Sequence, residues 1–290
     1  MERDKLIPGN ILFSDHSSLY TTDGNNITVV HDFNANGHGT IFGFVQTSKN
    51  ELITVDPYNN CLRVFNRLQD IVYKFAGDCK KYGFRDGTDA LFSRPQSVIQ
   101  DNQTPCLLYV TDYYNAAVRM ITKSQIPFVN TLTKTSPNSL YRRHMYTGIT
   151  QDYSGQYLYI LYRDGLERYD LSKNISIDIL SSNTRYTNSA AIYDNDIGYL
   201  SSIILQDELI IISDTNRHAL FVVNVSMGKY STSLVCTGVA GHLSGNSSFC
   251  QLYMPFGLLK MDGDIYVGEK GVISILTGNL IKSIYSLIGS

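Results

Sequence analysis

The stretch AGDCKKYGFRDGTDALFSRPQSVIQDNQTPCLLYVTDYYNAAVRMI, residues 76–121, contains one complete copy of a pattern that the rest of the chain repeats more loosely. A glycine-rich loop, residues 83–87, leads to Phe92-Ser93-Arg94-Pro95 and then to a short apolar run, residues 97–99. After a polar turn come two β-rich runs, residues 107–110 and 117–121, with Thr111-Asp112 between them. The pattern predicts short consecutive strands connected by turns.

One landmark of this unit, a β-rich run that ends in aspartate before a turn and another strand, recurs along the chain. Its positions are Asp15, Asp56, Asp112, Asp164, Asp214 and Gly268, the last a degenerate copy with glycine in place of aspartate. The intervals of about 40 to 56 residues are typical of four-stranded propeller blades. Residues 76–121 resemble an NHL repeat, the blade unit of a β-propeller. We therefore predict an all-β fold, a six-bladed β-propeller with four-stranded antiparallel blades, as one NHL-type domain over residues 1–290.

A second unit supports the same register. Residues 241–245 repeat the Gly-x-x-x-Gly spacing of residues 83–87, and Leu252-Tyr253-Met254-Pro255 then leads to the next strand, residues 256–259. The first, fourth and fifth blades lack this loop and are predicted from strand spacing alone.

Composition agrees with an all-β chain. The sequence has 21 Tyr and 12 Phe, residue types that favour pleated, half-buried surfaces. No segment has a sustained helical apolar period, and no apolar run reaches the eighteen or so residues of a membrane span. The absence of Trp argues against WD-type blades.

The chain ends bear on ring closure and on compartment. The innermost strand of the first blade is expected from residues 5–8 or from residues 280–288, because a closed ring leaves no open sheet edge. Residues 1–5 are charged and contain no apolar segment typical of a signal peptide. This favours a cytoplasmic location, the alternative to the secretory location considered below.

Cysteine placement favours two disulfides. In a four-stranded blade, Cys61 and Cys79 lie at one face, and Cys236 and Cys250 flank one link between blades at that same face. Cys106, at the start of a second strand, lies opposite. If the compartment is oxidising, we expect Cys236–Cys250 to form, and Cys61–Cys79 as a second pair whose hairpin register is less favourable. The alternative is five reduced, buried thiols. No Cys-x-x-Cys or Cys/His cluster suggests zinc.

Five sites match the N-glycosylation pattern: Asn26, Asn102, Asn174, Asn224 and Asn246. The first four fall in turns of one face and only Asn246 falls on the other. With the cysteine pairs, they favour an extracellular or secretory location.

The polar landmarks predict structure more than chemistry. The aspartates are expected to accept backbone N–H groups of their turns, with Asn59 and Asn115 in the same turns. Arg63 and Arg119, each seven residues after an aspartate, are expected to contact a neighbouring blade or the channel rim. His218 is expected to pack. The six histidines form no i, i+2 or i, i+4 pair, so no metal or other cofactor is predicted.

Three functions are compatible with the resemblance. Some similar propellers are enzymes, such as the amidating lyase of peptide hormones and lactonase-type hydrolases, with a metal in the channel, but their motifs do not match this sequence. Some NHL domains bind RNA through a basic face. Here the net charge is −2 and the dense basic spots are only Lys80-Lys81 and Arg142-Arg143-His144, so no nucleic acid is expected.

We therefore expect a non-catalytic interaction module with a protein or glycan partner. The site should lie on the face of the inter-blade links, near the channel mouth, because long variable loops on a rigid scaffold carry recognition. The candidate contacts are Tyr82, Phe84, Arg85 and His242. For Phe84, the alternative is packing beneath its own glycine loop.

Overall fold

The computed structural model describes residues 1–134, 145–162, 165–180, 200–225, 231–243, 250–269 and 272–276. They form six antiparallel sheets, and the only helical turn in this part of the chain is a 3₁₀ turn at Tyr113–Asn115. Five sheets have four strands each, and the sixth has three strands among the described residues. The predicted class, an all-β six-bladed propeller, is confirmed.

Each sheet is built from consecutive strands. The first three sheets are β1 (Glu2–Arg3), β2 (Ile11–Ser14), β3 (Ser18–Thr22), β4 (Ile27–Asp32); β5 (Phe44–Gln46), β6 (Glu51–Asp56), β7 (Cys61–Asn66), β8 (Ile71–Ala76); and β9 (Pro95–Gln100), β10 (Leu107–Asp112), β11 (Ala117–Thr122), β12 (Phe128–Lys134). The last three are β13 (Tyr146–Gln151), β14 (Tyr157–Tyr162), β15 (Gly165–Asp170), β16 (Ile175–Leu180); β17 (Leu200–Gln206), β18 (Leu209–Asp214), β19 (Ala219–Asn224), β20 (Ser231–Val235); and β21 (Gly257–Met261), β22 (Asp264–Glu269), β23 (Val272–Leu276).

The chain divides after Gln156 into two compact units, Met1–Gln156 and Tyr157–Ser290. In the first unit, one apolar cluster includes Val55, Leu62 and Val110, and a second surrounds Phe33 and Phe65. In the second unit, the clusters include Ile211, Val222 and Val267 in one case and Leu161, Ile210 and Val223 in the other.

Burial follows strand position within a sheet. The second strand β18, LIIISD, is buried at every position, whereas the fourth strand β16, ISIDIL, has four exposed residues before two buried ones. A strand covered on both faces needs an almost continuous apolar run, which explains why the second strands were the clearest signal in the sequence.

The predicted landmarks lie at equivalent places. Asp56, Asp112 and Asp214 each end the second strand of a sheet and pair in register with the first residue of the third strand. That prediction is confirmed. Asp164 lies outside the described residues. At the degenerate copy, Gly268 is an internal residue of β22, and the strand ends one residue later at Glu269.

The strand beside β2 differs from the expectation. Glu2–Arg3 pairs with Ile11 and Leu12, whereas residues 5–8 form no strand, and residues 280–288 lie outside the described residues. Asp4 explains the early end, because its carboxylate accepts the N–H groups of Leu6 and Ile7 and turns the chain away. No helix in the described part of the chain is long and apolar enough to cross a membrane.

Candidate binding site on the glycine loops

Backbone hydrogen bonds close the first glycine loop within its link and join it to the third sheet. Gly83 donates to the Phe92 carbonyl at 2.9 Å, and Arg85 and Leu91 exchange hydrogen bonds at 3.4 and 3.1 Å. Gly87 pairs with Val129 of β12 at 2.8 and 3.2 Å, with a φ of 103° that favours glycine. The loop is therefore an ordered platform.

Beneath the loop lies the fully buried guanidinium of Arg119. Its Nη1 donates to Asp112 Oδ2 at 2.8 Å and to the Leu91 carbonyl at 3.0 Å. Its Nη2 donates to Asp86 Oδ1 at 2.6 Å and to the Arg85 carbonyl at 2.7 Å. The expected contact of Arg119 with a neighbouring blade or the channel rim is thus corrected. Arg119 bonds its own aspartate and the loop that leads into its own sheet, because the fork of its donors fits both.

Asp112 has a second role. It accepts the N–H of Ser93 at 2.7 Å and the side-chain amide of Asn115 at 2.8 Å. Burial raises the pKa of Asp112, while these hydrogen bonds and Arg119 act in the opposite direction. The carboxylate fixes the link between sheets as it enters β9, which is a structural function.

Asp56 follows the same plan with different partners. It accepts the N–H and side-chain amide of Asn59 at 3.1 and 2.7 Å, and Arg63 Nε at 3.3 Å. As expected, the landmark aspartates accept backbone N–H groups of their own turns: Asp56 accepts that of Asn59, and Asp214 accepts those of Asn216 and Arg217. The turn role of Asn59 and Asn115 is confirmed, while Arg63, like Arg119, pairs within its own blade.

The second glycine loop repeats this geometry in the second unit. Gly241 donates to the Leu252 carbonyl at 3.1 Å, and Leu243 pairs with Gln251 as Arg85 pairs with Leu91. The buried Glu269 carboxylate accepts the N–H of Tyr253 at 2.5 Å, as Asp112 accepts that of Ser93. Glu269 therefore supplies the carboxylate that appeared to be missing at Gly268. The longer side chain compensates for a position one residue later, and an allowance for this shift would have found it in the sequence.

The four predicted contact residues have different surroundings. Tyr82 is 77% exposed, and no hydrogen bond of its side chain is found among the described residues. Phe84 is 42% exposed, with Lys134 Nζ 3.5 Å and Arg119 Cζ 4.8 Å from its ring centroid. It thus both packs on the loop's support and remains accessible. Arg85 donates to the carbonyl of Asp89 at 2.9 and 2.7 Å and pairs with its carboxylate at 3.0 Å, so it closes its own loop.

The fourth residue, His242, lies in the second unit. Its Nδ1 is 3.3 Å from Glu269 Oε2, and its ring meets that of Tyr253 edge to face at 5.7 Å. The structure thus places Tyr82, Phe84 and Arg85 on one loop and His242 at the position equivalent to Phe84 on the other.

Sequence reasoning missed an aromatic and arginine cluster beside the first loop. Arg94 Cζ lies 5.2 Å from the Tyr58 ring centroid and 5.4 Å from that of Tyr114, and Arg94 Nη1 donates to the Tyr114 hydroxyl at 2.8 Å. Tyr58 is 61% and Tyr114 54% exposed. The Asn115 amide, next to Tyr114, donates to the Gly83 carbonyl at 2.7 Å. Tyr58, Arg94 and Tyr114 thus contact one another, and the Asn115–Gly83 hydrogen bond joins their turn to the loop that carries Tyr82 and Phe84. These five residues are named here the link surface.

Two residues of the links have a left-handed backbone for a structural reason. Arg94 and Met254, with φ of 57° and 52°, each precede proline. Their N–H groups donate to Asn60 Oδ1 at 2.9 Å and to His218 Nδ1 at 3.0 Å. His218 also stacks on Tyr253 at 5.6 Å. It is therefore a hydrogen-bond acceptor of the link as well as a packed ring.

Both predicted disulfides are present. Cys61–Cys79 has a Cα–Cα distance of 5.0 Å and Cys236–Cys250 one of 4.5 Å. A bulge between Leu62 and Arg63 shifts the register of β7 against β8 by one residue, which brings Cys61 nearer to Cys79 than simple hairpin pairing would. Each disulfide restrains a link that carries a glycine loop. Cys106 is free and exposed.

The sequons lie where the strand order predicted, as far as they are described. Asn26 and Asn174 lie in turns between third and fourth strands, Asn224 ends the third strand β19, and Asn102 lies between β9 and β10. Asn102 donates from its side chain to the Asp152 carbonyl at 3.0 Å. Asn246 lies outside the described residues, as does the basic spot at residues 142–144.

Among the described residues, no group of three or more His, Cys, Asp or Glu side chains could hold a metal ion. The nearest arrangement is a row in which His31 Nδ1 lies 2.7 Å from Asp70 Oδ1 and His31 Nε2 lies 3.1 Å from His38 Nδ1.

Comparison with known proteins identifies the fold. No family model matches the chain, and no curated protein matches it either. Similar solved structures include one in the nidogen/laminin complex (TM-score 0.64, 10% identity, covering 93% of this chain and 90% of that one). Another is an auxiliary nutrient binding protein from Bacteroides ovatus (TM-score 0.66, 11% identity, 92% and 66%). A third is streptogramin B lyase (TM-score 0.58, 11% identity, 92% and 75%). At these identities the similarity shows the propeller fold alone, and one fold serves binding proteins and an enzyme.

Proposed function

We propose that this propeller is a non-catalytic interaction module of the extracellular or secretory space and that residues 1–290 act as one domain. In this proposal a protein partner docks on the link surface. The observation that carries the proposal is the link surface itself. Its four aromatic side chains are exposed by 42 to 77%, and the Asn115–Gly83 hydrogen bond joins the turn of Tyr114 to the loop of Tyr82 and Phe84. Tyrosine and arginine are the residue types that most often dominate binding energy in protein interfaces.

The rigidity of the link surface supports the same function. Tyr82 and Phe84 lie on a loop fixed by three backbone pairs and by Arg119, and the loop follows the Cys61–Cys79 disulfide. A side chain that is already positioned loses less conformational entropy on binding. The disulfides also support an oxidising compartment, where such bonds persist.

The tyrosines of the link surface test the proposal. Wild-type protein, a Tyr58→Ala/Tyr82→Ala variant and a Tyr153→Ala control are immobilised, and secreted proteins that each captures are measured by quantitative mass spectrometry. Tyr153 is matched because it is 62% exposed and lies in the turn between β13 and β14. A partner by this proposal is captured by wild type and control and is depleted at least about tenfold on the double variant, as loss of two interface tyrosines predicts.

Equal capture by a folded double variant would place the site elsewhere. The same proteins are presented to a glycan array and to single-stranded RNA. A glycan or RNA ligand that depends on Tyr58 and Tyr82, without any protein ligand, would overturn the assignment to a protein partner. Circular dichroism and thermal unfolding establish that the variants are folded.

A further inference from the structure

We propose that the link surface recognises an acidic peptide segment, whose carboxylate binds the Arg94 guanidinium between Tyr58 and Tyr114; this rests on the proposed function. The inference starts from the pairing of arginines in the first unit. Arg63, Arg67, Arg85 and Arg119 each pair with an aspartate. Arg94 differs, because no carboxylate partner of its guanidinium is found in the part of the chain that the structure describes.

The backbone does not explain an arginine at this position. Met254 has the same left-handed conformation, the same following proline and an equivalent hydrogen bond to its N–H group in the other glycine-loop link. An uncharged side chain is therefore sufficient for the fold. The link backbone therefore does not require the charge of Arg94, which leaves that charge available for recognition.

The surroundings of Arg94 hold its donors in place. The two tyrosine rings flank the guanidinium, and one of its N–H groups is fixed by the Tyr114 hydroxyl. The guanidinium also bonds the Tyr58 side chain, and of its five N–H donors those not used by the two tyrosines are available to a carboxylate. Because the rings already restrict the side chain, little rotamer entropy is lost when a carboxylate binds.

The charge balance of the region favours an anion. Residues 57–60, 77–94 and 113–116 contain four basic residues (Lys80, Lys81, Arg85, Arg94) and three acidic ones (Asp78, Asp86, Asp89). Each acidic residue already has a basic partner, namely Lys81, Arg119 and Arg85 respectively. Lys80 and Arg94 are thus left without a carboxylate partner among the described residues, although the whole chain has a net charge of −2.

The aromatic residues select a peptide among possible anions. Beside the arginine, Tyr58 and Tyr114 each keep more than half of their side chain exposed, and Tyr82 and Phe84 on the adjoining glycine loop add further accessible aromatic surface. A chain segment that places a carboxylate at Arg94 would lay its following side chains and peptide groups against these rings. Aromatic contact of this kind around one arginine anchor is the composition of a protein interface core.

The test is a selection of random linear twelve-residue peptides displayed on phage, run in parallel on three proteins. These are the wild type, Arg94→Gln, and Arg168→Gln as a matched control, because Arg168 also stacks on a tyrosine, 4.7 Å from the Tyr157 ring centroid. We expect peptides enriched on wild type and control to be rich in Asp and Glu, and this enrichment to be lost on Arg94→Gln. The tightest peptide and its Glu→Gln or Asp→Asn form are then titrated by fluorescence polarisation, with about a tenfold or greater loss expected for the neutral form.

Peptides without acidic enrichment, a selection that yields no peptide, or equal enrichment on Arg94→Gln would each overturn this inference. An acidic oligosaccharide such as polygalacturonate that binds through Arg94, when no peptide does, would also overturn it. The proposed function is tested separately, by protein capture on the tyrosine variant. That capture can depend on the tyrosines even if Arg94→Gln changes no peptide binding. Loss of capture on the tyrosine variant together with unchanged capture on Arg94→Gln would therefore leave the module without the acidic partner.

Discussion

Arg119 offers the sharpest test of how the glycine loop is supported. In Arg119→Met, the buried Asp112 carboxylate loses its cationic partner and the carbonyls of Arg85 and Leu91 each lose a guanidinium donor, while the apolar stem of the side chain is retained. Because both partners of the Arg119–Asp112 pair are fully buried, removal of one leaves an uncompensated buried charge. That defect costs about 3–5 kcal/mol of the free energy of unfolding. For a chain of this length, it lowers the melting temperature by about 6–10 °C.

The assay is urea unfolding followed by far-UV circular dichroism and tyrosine fluorescence. Arg168→Met is the control, since the Arg168 side chain stacks on Tyr157 but forms no ion pair among the described residues, and a loss below about 1 kcal/mol is expected. The variant Asp112→Asn/Arg119→Met should recover part of the stability lost in Arg119→Met, because the unpaired charge is gone. If Arg119→Met costs less than about 1 kcal/mol, or if the two substitutions are simply additive, the buried pair does not support the loop as argued.

Three further predictions concern other elements. Reduction of Cys236–Cys250 should lower the free energy of unfolding by about 3 kcal/mol, since the bond closes a loop with a sequence separation of 14. The variant Cys236→Ser/Cys250→Ser separates this effect from that of the other disulfide. An unchanged melting temperature under reductant would contradict the prediction. Glu269→Ala should destabilise the protein by about 1–3 kcal/mol, because it leaves the Tyr253 N–H unsatisfied. Substitution of the exposed Glu208 by alanine should not destabilise it. Equal unfolding midpoints for the two variants would show that Glu269 does not take the place of Asp112. Burial alone would raise the pKa of Asp101, but hydrogen bonds from Gln151, the Thr104 N–H, Tyr109 and the Gln103 N–H lower it overall. The Asp101 carboxylate therefore stabilises the fold above the ordinary aspartate pKa of about 3.9, and this contribution is lost as the pH falls through the folded pKa. Urea titrations at a series of pH values should show that Asp101→Asn is less stable than wild type at pH 7 and loses less stability as the pH is lowered. If the stability of both proteins falls equally with pH, the Asp101 carboxylate does not stabilise the fold in this way.

How much of the site could be read from the sequence depended on the distance between the residues. The glycine loop and the turn of Asp112 and Asn115 lie within short spans, so their spacing was visible. The pairs of Arg119 with Asp86 and of Arg94 with Tyr58 join residues 33 and 36 positions apart. No local periodicity reports such contacts. The pairs Arg63–Asp56 and Arg119–Asp112 span only seven residues, so the sequence showed their spacing but not that the side chains turn back onto their own aspartates rather than towards a neighbouring blade or the channel rim.

The sequence by itself determined the six-fold repetition and most of the strands, and it indicated which cysteines could pair. Repeated turn chemistry and continuous apolar runs act within one blade, and each blade is a local hairpin structure that covers its faces only against its neighbours. Only the tertiary structure decided that Glu269 replaces the missing aspartate, that Arg119 supports the first glycine loop, and that Tyr58, Arg94 and Tyr114 meet on one surface. Those contacts form where links from one sheet pass over the turns of another, and their geometry is set by packing between sheets, which no short stretch of sequence encodes.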